Sequence, residues 1–534
     1  MMKIDKRICI HILLLLLAVV FGEHSWYFLL LTAAQLVFVP LTLYLVMEKD
    51  KWFSRIYPYF GYPAWGAVVL LQLTDQTKWD VILAGIYLLF TVLVSFYGFS
   101  RFLRRGFTHI AEFSIDLGMM YLWIGGAWFF AHIADLDTGF SYMIRWLTGI
   151  HFHYASFLLL VFTGLLGRKY QSTFYQVVCT ILFVSPIIVA LGITFSRWLE
   201  LISVLFYIVG VYGLIFLSFQ TRFTHRLQAW FVRGSFCAVG GSLLFSLIYA
   251  LGNVWGAYTI TIDFMLDFHG VTNSMGFALL GVIGWMVDPP SSRFTGWDFP
   301  LSNIRGEKKI GEEILQQIVD SSNQTSPRAL IDEMKRYVPN LQVDMLAPSM
   351  IRFYEQTESY RLWAKVEWSK WFLPLIALYQ IYSRKIQQLN LPLSNEWVEM
   401  TGMIYPIREE LDGRKQPRAW VRKIGEEVVF VALYSDHVRE RRRYMNIALP
   451  LPEATMVGIL ELHQQGRELQ ITSRSSDLDS DSGIYLAWNK WIWKLPLAEN
   501  FWIREAGEHE LEAHHQMWLC GIPFLKIAYI IKPA

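Results

Sequence analysis

Ten apolar runs, at residues 8–22, 26–47, 60–74, 79–98, 115–133, 147–166, 174–194, 199–219, 232–252 and 268–287, constrain this chain more than any other feature. In hydrocarbon every backbone N–H and C=O must find its partner inside the segment, so apolar runs of about 20 residues are helices that cross a bilayer. The runs at 8–22 and 60–74 are the shortest. Charge sorts the connections. One side carries 14 basic residues, Lys3, Lys6, Arg7, Lys49, Lys51, Arg55, Arg101, Arg104, Arg105, Arg168, Lys169, Arg222, Arg226 and Arg233, and the other carries 3, Lys78, Arg145 and Arg197. The positive-inside rule then places the N-terminus and every even connection in the cytoplasm, and ten crossings return the C-terminal part there too. The first run has the basic start and Leu-rich core of a signal peptide, but Phe21-Gly22 makes a poor cleavage site, so it reads as an uncleaved anchor.

The chain changes character near residue 290. Residues 1–290 hold 17 of the 47 Lys+Arg and 14 of the 45 Asp+Glu, leaving 30 and 31 to the remaining 244 residues. This predicts an all-α polytopic membrane bundle over 1–290, a linker at 291–305 opened by Asp288-Pro289-Pro290, and a cytoplasmic α+β domain over 306–534. Helices are expected over 306–390. Ile310, Ile314, Ile318 and Val319 form one stripe, and Ser326-Pro327 opens a second helix through Tyr337. The apolar run 371–382 is too short to span and reads as a buried core helix; the alternative is a segment at the membrane interface anchored by Trp368, Trp371, Tyr379 and Tyr382. From Trp420 onward short β-type runs (Val428–Ser435, Tyr444–Pro450, Met456–His463, Glu468–Ser473, Gly483–Asn489 and Phe524–Ile531) predict a curved antiparallel sheet of six to eight strands over 420–534. The crowding of Trp488, Trp491, Trp493, Phe501 and Trp502 points to an apolar or lipid ligand enclosed by that sheet.

A net charge of +2 excludes broad electrostatic recruitment of nucleic acid. Cys9, Cys179, Cys237 and Cys520 are too scattered for a disulfide framework or a CxxC pair. No Walker A, GxGxxG, GxSxG, kinase or deaminase signature is present. What remains is a set of ionisable residues at costly intramembrane positions. His132 ends span five outside, His151 and His153 lie in the first two turns of span six, and His269 opens span ten, with Asp135, Asp137, Asp263 and Asp267 in the adjoining outer loops. On a helix His153, Ser156, Thr163, Gly164 and Gly167 share a stripe of polar and small residues, with His151 about 200° from His153. His269, Asn273 and Gly276 share a face of span ten. The expectation is that His153 and His269 face each other, with Asn273 beside them and Asp267 within reach.

Three readings of this cluster stay open. The residues hold helices together by hydrogen bonds. Alternatively His132, His151, His153 and His269 with Asp267 or Asp137 ligate a transition metal, imidazole suiting Zn, Cu or Fe. In the third, haem or a quinone sits between His153 and His269. Glu112 and Asp116 at the inner end of span five could form a proton path, with the alternative that Glu112 simply snorkels beside Arg104, Arg105 and His109. In the second half, His509 to His514 has one residue too many for HExxH and places Glu510, Glu512 and His514 on one strand face. Asp477, Asp479 and Asp481 imitate an EF-hand opening without its glycine or closing glutamate, and Arg439 with Arg441 to Arg443 is either a solvated turn or a contact for anionic lipid.

His151-Phe152-His153-Tyr154-Ala155-Ser156-Phe157 through Arg168, and Asp267-Phe268-His269-Gly270-Val271-Thr272-Asn273 through Trp285, resemble stretches of the YndJ-like family of Bacillus membrane proteins. The resemblance implies the fold and cell-membrane location of residues 1–290 and brings no catalytic residues. Arg352-Phe353-Tyr354-Glu355 and Gln388-Leu389-Asn390-Leu391-Pro392 mark the second half as a separate bacterial module. The reading that results is a multi-pass cell-membrane protein of unassigned activity. It has an outer-leaflet His/Asp site for a metal or cofactor and a cytoplasmic module for an apolar or lipid ligand. A non-enzymatic membrane sensor or assembly factor is the alternative. A transporter comes third, since the ten spans show no half-to-half match.

Overall fold

The computed structural model describes residues 6–534 except 23, 48–51, 75, 108, 257–259, 293–296, 298, 312, 321–328, 339, 476, 478–479, 490 and 508. It divides into a helical unit and a sheet unit. Among the described residues the first contains ten helices: α1 Lys6–Phe21, α2 Phe28–Val46, α3 Trp52–Leu73, α4 Asp80–Arg105, α5 Ile110–Ile133, α6 Tyr142–Lys169, α7 Thr173–Phe195, α8 Arg197–Gln220, α9 Arg226–Trp255 and α10 Ile262–Val287. Eight are long and apolar enough to cross a membrane. The other two are α1, of 16 residues, and α3, which carries Pro58 and Pro63 within its 22. They match the two shortest runs in the sequence. Both pack into the bundle all the same, since His11 of α1 is buried and meets the Trp65 ring of α3 edge-on at 4.4 Å.

Small residues set the helix spacing, as expected where lipid gives no hydrophobic drive between helices. A Cβ on Gly125 of α5 would lie 2.8 Å from His153 Nδ1, and one on Gly118 would lie 3.0 Å from Phe157 O, so α5 and α6 approach only because those Cβ atoms are missing. The polar and small stripe of α6 therefore faces a neighbouring helix, here α5. Three helices depart from α geometry: α2 is π-helical over Ala34–Phe38, α6 over Phe152–Leu158, and α10 over Met265–Gly270 and Thr272–Leu279. Such stretches loosen the i→i−4 ladder and are frequent at functional sites. Tyr154 joins all three, donating to Leu30 O at 2.7 Å and lying 3.2 Å from Ser274 Oγ.

Where the end of α4, the start of α5 and the end of α6 meet, Arg101, Glu112, Asp116 and Arg168 are buried together. Arg101 donates to Asp116 Oδ1 at 2.6 Å, to Glu112 Oε2 at 3.0 Å and to Val46 O at 2.6 Å. Arg168 donates to both Glu112 oxygens at 2.7 and 2.9 Å and to Pro290 O at 2.9 Å. Glu112 thus turns inward and is 3% exposed.

Among the described residues the second unit is built on twelve strands: β1 Tyr360–Trp368, β2 Trp397–Pro406, β3 Arg418–Ile424, β4 Glu427–Arg439, β5 Arg442–Leu451, β6 Ala454–Gln465, β7 Glu468–Thr472, β8 Gly483–Trp488, β9 Trp491–Lys494, β10 Leu497–Gly507, β11 Glu510–Leu519 and β12 Ile522–Pro533. Ten close into an antiparallel barrel in the order β1-β2-β3-β4-β5-β6-β7-β10-β11-β12. Closure depends on β6, which pairs with β5 through residues 454–460 and with β7 through 461–465. The β8–β9 hairpin hangs from the first half of β6.

The sheet is larger than six to eight strands and begins earlier than 420. The helical layer expected over 306–390 is interrupted by β1, whose Leu362, Ala364 and Val366 alternate inward. Its helices are α11 Glu313–Ile318, α12 Pro348–Glu355 and α13 Leu373–Ile386. Ile310, Ile314 and Ile318 are buried along their stripe. Ser326 and Pro327 lie outside the described residues, and the stretch before Tyr337 is described only as a 3-10 turn at Met334–Tyr337. Residues 299–305, expected to be linker, are packed on the barrel: Phe299, Ser302 and Ile304 are buried.

Segments outside the strands contribute to the barrel core. Tyr337, Met350, Phe353 and Tyr354 share one core with inward residues such as Leu362, Ile503 and Tyr529. Of the five aromatics expected to line a ligand cavity, Trp488 and Trp491 are exposed on the hairpin outside the ring, while Trp493, Phe501 and Trp502 are half-buried.

Candidate functional site

The bundle contains a cavity of about 310 Å³ lined mainly by α6, α7, α8, α9 and α10, with Leu30 of α2 and Trp128 of α5 contributing. Its walls are apolar, with Pro186, Val189, Val211, Leu243 and Phe277 among them. Its polar lining includes His151 and Ser156 of α6, Thr194 of α7, Glu200 of α8, Ser246 of α9, and His269 and Asn273 of α10, with Thr148, Tyr154, Tyr207 and Tyr249 beside them. Counting about 1.5 Å per residue from the helix starts, Glu200 lies about 5 Å, His269 about 10 Å and His151 about 13 Å along their helices. All three starts belong to the end of the bundle read as outer. The polar groups therefore gather toward one mouth and the apolar walls continue below them, the pattern of sites that take a small ligand with one polar end.

Hydrogen bonding separates the histidines into two classes. In α10, Asn273 Nδ2 donates to His269 Nε2 at 3.0 Å, so His269 Nδ1–H is the donor toward Ser242 O at 3.0 Å, with Ser246 Oγ 3.3 Å away. Ser242 Oγ in turn donates to Asn273 Oδ1 at 2.8 Å. His269 and Asn273 thus tie α10 to α9, and neither ring nitrogen is left for a metal. His153 is likewise committed: its Nδ1–H donates to Gly149 O at 2.8 Å and Nε2 accepts from Tyr87 OH of α4 at 2.7 Å. It is fully buried away from the cavity.

His151 differs. Its Nδ1–H donates to Leu147 O at 2.6 Å, one turn back, which fixes the tautomer and makes Nε2 an acceptor. No protein donor to Nε2 is found among the described residues, and the residue lines the cavity.

The residue that shares the site with His269 and Asn273 is therefore His151, while His153 turns toward α4. Helical spacing puts these two histidines on different faces but cannot say which neighbour each face meets. His132 is buried elsewhere, donating from Nδ1 to Tyr142 O at 3.1 Å with its ring 3.9 Å from the Tyr142 ring. Asp267 is exposed and does not line the cavity; Asp137 is exposed and accepts from its own loop at Gly139 N, 3.1 Å away. Asp135 pairs with Arg145. Among the described residues no three His, Cys, Asp or Glu side chains gather as a metal-ligand set.

Glu200 was missed by sequence reasoning. Its carboxylate faces Asn253 Nδ2 of α9 at 3.4 Å for both oxygens, and it lines the cavity mouth. The available signal was a lone acid in the first turn of an otherwise apolar run.

In the barrel unit the acidic loop and the basic cluster neutralise each other. Asp477 pairs with Arg442 at 2.7 Å, while Asp481, fully buried, pairs with Arg439 and lies 3.3 Å from His437 Nε2. Asp479 lies outside the described residues. Beside them burial lowers the Lys494 ammonium to about 7 against the pull of Asp481 and Glu461, and its Nζ donates to Ser482 O at 2.7 Å. On β11, Glu510 and Glu512 pair with Lys532 and Arg504 at 2.8 Å each, while His514 is exposed.

Comparison with known proteins agrees with the bundle motifs. A family model described as YndJ-like protein matches residues 29–277. An uncharacterized membrane protein YndJ of Bacillus subtilis (strain 168) is 37% identical over 458 residues, which cover 84% of this chain and 83% of the relative. An alignment of that length cannot fit within the bundle, so the relative also carries part of the barrel unit. No solved structure matches the chain.

Proposed function

The chain belongs to the YndJ-like family of membrane proteins, and we propose that its bundle binds a small amphiphile drawn from the membrane. The observation that carries this reading is the apolar cavity lined by His151, whose Nε2 is an acceptor without a protein donor among the described residues, with Glu200 elsewhere on the same lining. The polar end of the ligand, a hydroxyl or ammonium donor, sits at His151 and Glu200, and its hydrocarbon body lies along Leu243 and Phe277. Binding rather than metal chemistry fits the histidines, because His153 and His269 spend both ring nitrogens on the protein. The π-helical stretches of α6 and α10 border the same cavity and give these helices room to adjust to an occupant.

The test is native mass spectrometry of the full chain from nanodiscs. The parent should retain a co-purifying amphiphile, and Ala190→Phe, which fills the cavity from α7, should lose it while keeping its thermal stability. His151→Ala should weaken binding roughly tenfold, about one hydrogen bond. Identical adducts on parent and Ala190→Phe would refute the assignment.

The same reading places both termini in the cytoplasm. Ten helices, an even number, and the 14 to 3 division of basic residues support it. In a chain whose sole cysteine is the exposed Cys520, maleimide should label only after the cells are permeabilised. Labelling from outside intact cells would reverse the orientation.

A further inference from the structure

Helix α13 is amphipathic in the wrong direction for a globular protein. The side that meets the barrel domain carries Ile376, Gln380, Ser383 and Ile386, whereas Leu375, Leu378, Ile381 and Tyr382 point away from it. Leu378 is 69% exposed, Ile381 62% and Leu375 55%. A buried core helix, the first expectation for this run, would show the reverse. The patch continues beyond the helix to Trp371 and to Ile522, since Trp371 Nε1 donates to Pro523 O at 3.1 Å and Ile522 is itself 54% exposed.

This face is held rigidly. Gln380 Nε2 donates to Leu391 O at 2.8 Å, and Ile310 N donates to Ile386 O at 2.8 Å. Just past the helix, fully buried Gln388 bonds Val431 N and O and Pro450 O within 3.0 Å. The Phe372 ring stacks on Trp368. The polar side chains of the segment are thus spent on anchoring it, and large apolar residues are displayed on a fixed platform, well beyond the scattered exposed hydrophobics of an ordinary surface.

We infer that α13, with Trp371 and Ile522, docks on the surface of a lipid bilayer with its apolar face in the headgroup–acyl boundary. Charge selects this occupant. Lys370 lies at one end of the helix and Arg384 and Lys385 at the other, and no Asp or Glu occurs between Glu367 and Glu396. Basic ends with a Leu, Trp and Tyr face suit anionic headgroups over hydrocarbon. A second copy is disfavoured by the same charges: antiparallel pairing of this face would set Lys370 against Arg384 and Lys385, and parallel pairing would set each cation against itself. The chain is already held in a bilayer by its bundle, so the local concentration of lipid surface is high. This inference is independent of the cavity in the bundle.

The experiment uses the full chain with its native cysteines replaced, reconstituted in vesicles of phosphatidylcholine and phosphatidylglycerol, with the fluorophore NBD on Leu378→Cys. Bromine on the lipid acyl chains should quench most of the emission at 378, whose maximum should be blue-shifted. NBD on Glu426→Cys, on the exposed β3–β4 turn, should be unaffected. Leu375→Cys and Ile381→Cys report the same face and guard against a misfolded single variant. Charge reversal at Lys370, Arg384 and Lys385 should reduce the quenching. Equal quenching at 378 and 426 would overturn the inference. So would a label at 378 that is shielded from iodide in water yet untouched by brominated lipid, which would identify a protein as the occupant.

Discussion

Arg101→Ala should strongly destabilise the folded protein. The guanidinium is fully buried and answers Asp116, Glu112 and a main-chain carbonyl at once. Its removal takes that cation away from both carboxylates, in a region where water cannot re-solvate the surplus charge. Breaking one partner of such a buried set costs about 3–5 kcal/mol, most of it the penalty of the charge left behind. A loss of that size should lower the melting midpoint of the detergent-solubilised chain by about 10 °C and cut its yield. The double variant Arg101→Met with Asp116→Leu removes one charge of each sign and leaves Glu112 paired with Arg168, so it should recover much of the stability. A midpoint within a degree or two of the parent for Arg101→Ala would mean that the quartet is hydrated and exchangeable, which would return Glu112 and Asp116 to the role of a proton path.

The ten helices were legible because hydrocarbon permits few alternatives: an apolar run must become a helix, and even the two weak runs kept that form by packing, with His11 against Trp65. The site was legible only in part. The sequence marks His151, His153, His269 and Asn273 as costly residues, and helical periodicity separates the faces of His151 and His153. Which face meets the cavity depends on α4, since the Tyr87 hydroxyl that captures His153 lies 66 residues away in the chain. The π-helical stretches shift the register further, and periodicity at a fixed 3.6 residues per turn cannot register them. In the barrel unit, the runs from Val428 onward were read as strands because β-branched and aromatic residues dominate them. β1 was lost among expected helices even though Tyr360 to Trp368 alternates, because its outward positions carry Arg361, Lys365 and Glu367, which helices accept equally well. The burial of α13 was inferred from hydrophobicity alone, and hydrophobicity does not tell a core from a membrane surface.

The barrel unit offers a test of where its stability begins. A fragment starting at residue 299 should fold, and one starting at 306 should not. The lost segment adds two buried side chains, Phe299 and Ile304, to the core that contains Tyr444 and Tyr485. At about 1.5–3 kcal/mol each, their burial alone approaches half the stability of an ordinary domain. The segment also completes a polar network. Ser302 Oγ donates to Asp412 Oδ2 at 2.8 Å, Asn303 N to Asp412 O at 2.7 Å, and Asn446 Nδ2 to Pro300 O at 2.8 Å. The centre of that network is fully buried Asp412, bridged by Arg414 at 2.6 and 2.9 Å, while Arg414 also reaches Asn446 O and Oδ1 at 2.9 Å. Thr455 Oγ1 donates to Ile304 O at 2.6 Å and ties the segment to β6, one of the strands that close the ring. Both fragments carry the apolar face of α13, so any need for detergent is common to the pair and cancels in the comparison. Urea unfolding followed by tryptophan fluorescence should show a cooperative transition for the 299 start and none for the 306 start. In the longer fragment Arg414→Ala should remove about 3–5 kcal/mol by stranding Asp412. Equal midpoints for the two starts would make 299–305 a mere tether, and an unchanged midpoint for Arg414→Ala would show that Asp412 finds another cation or takes up a proton.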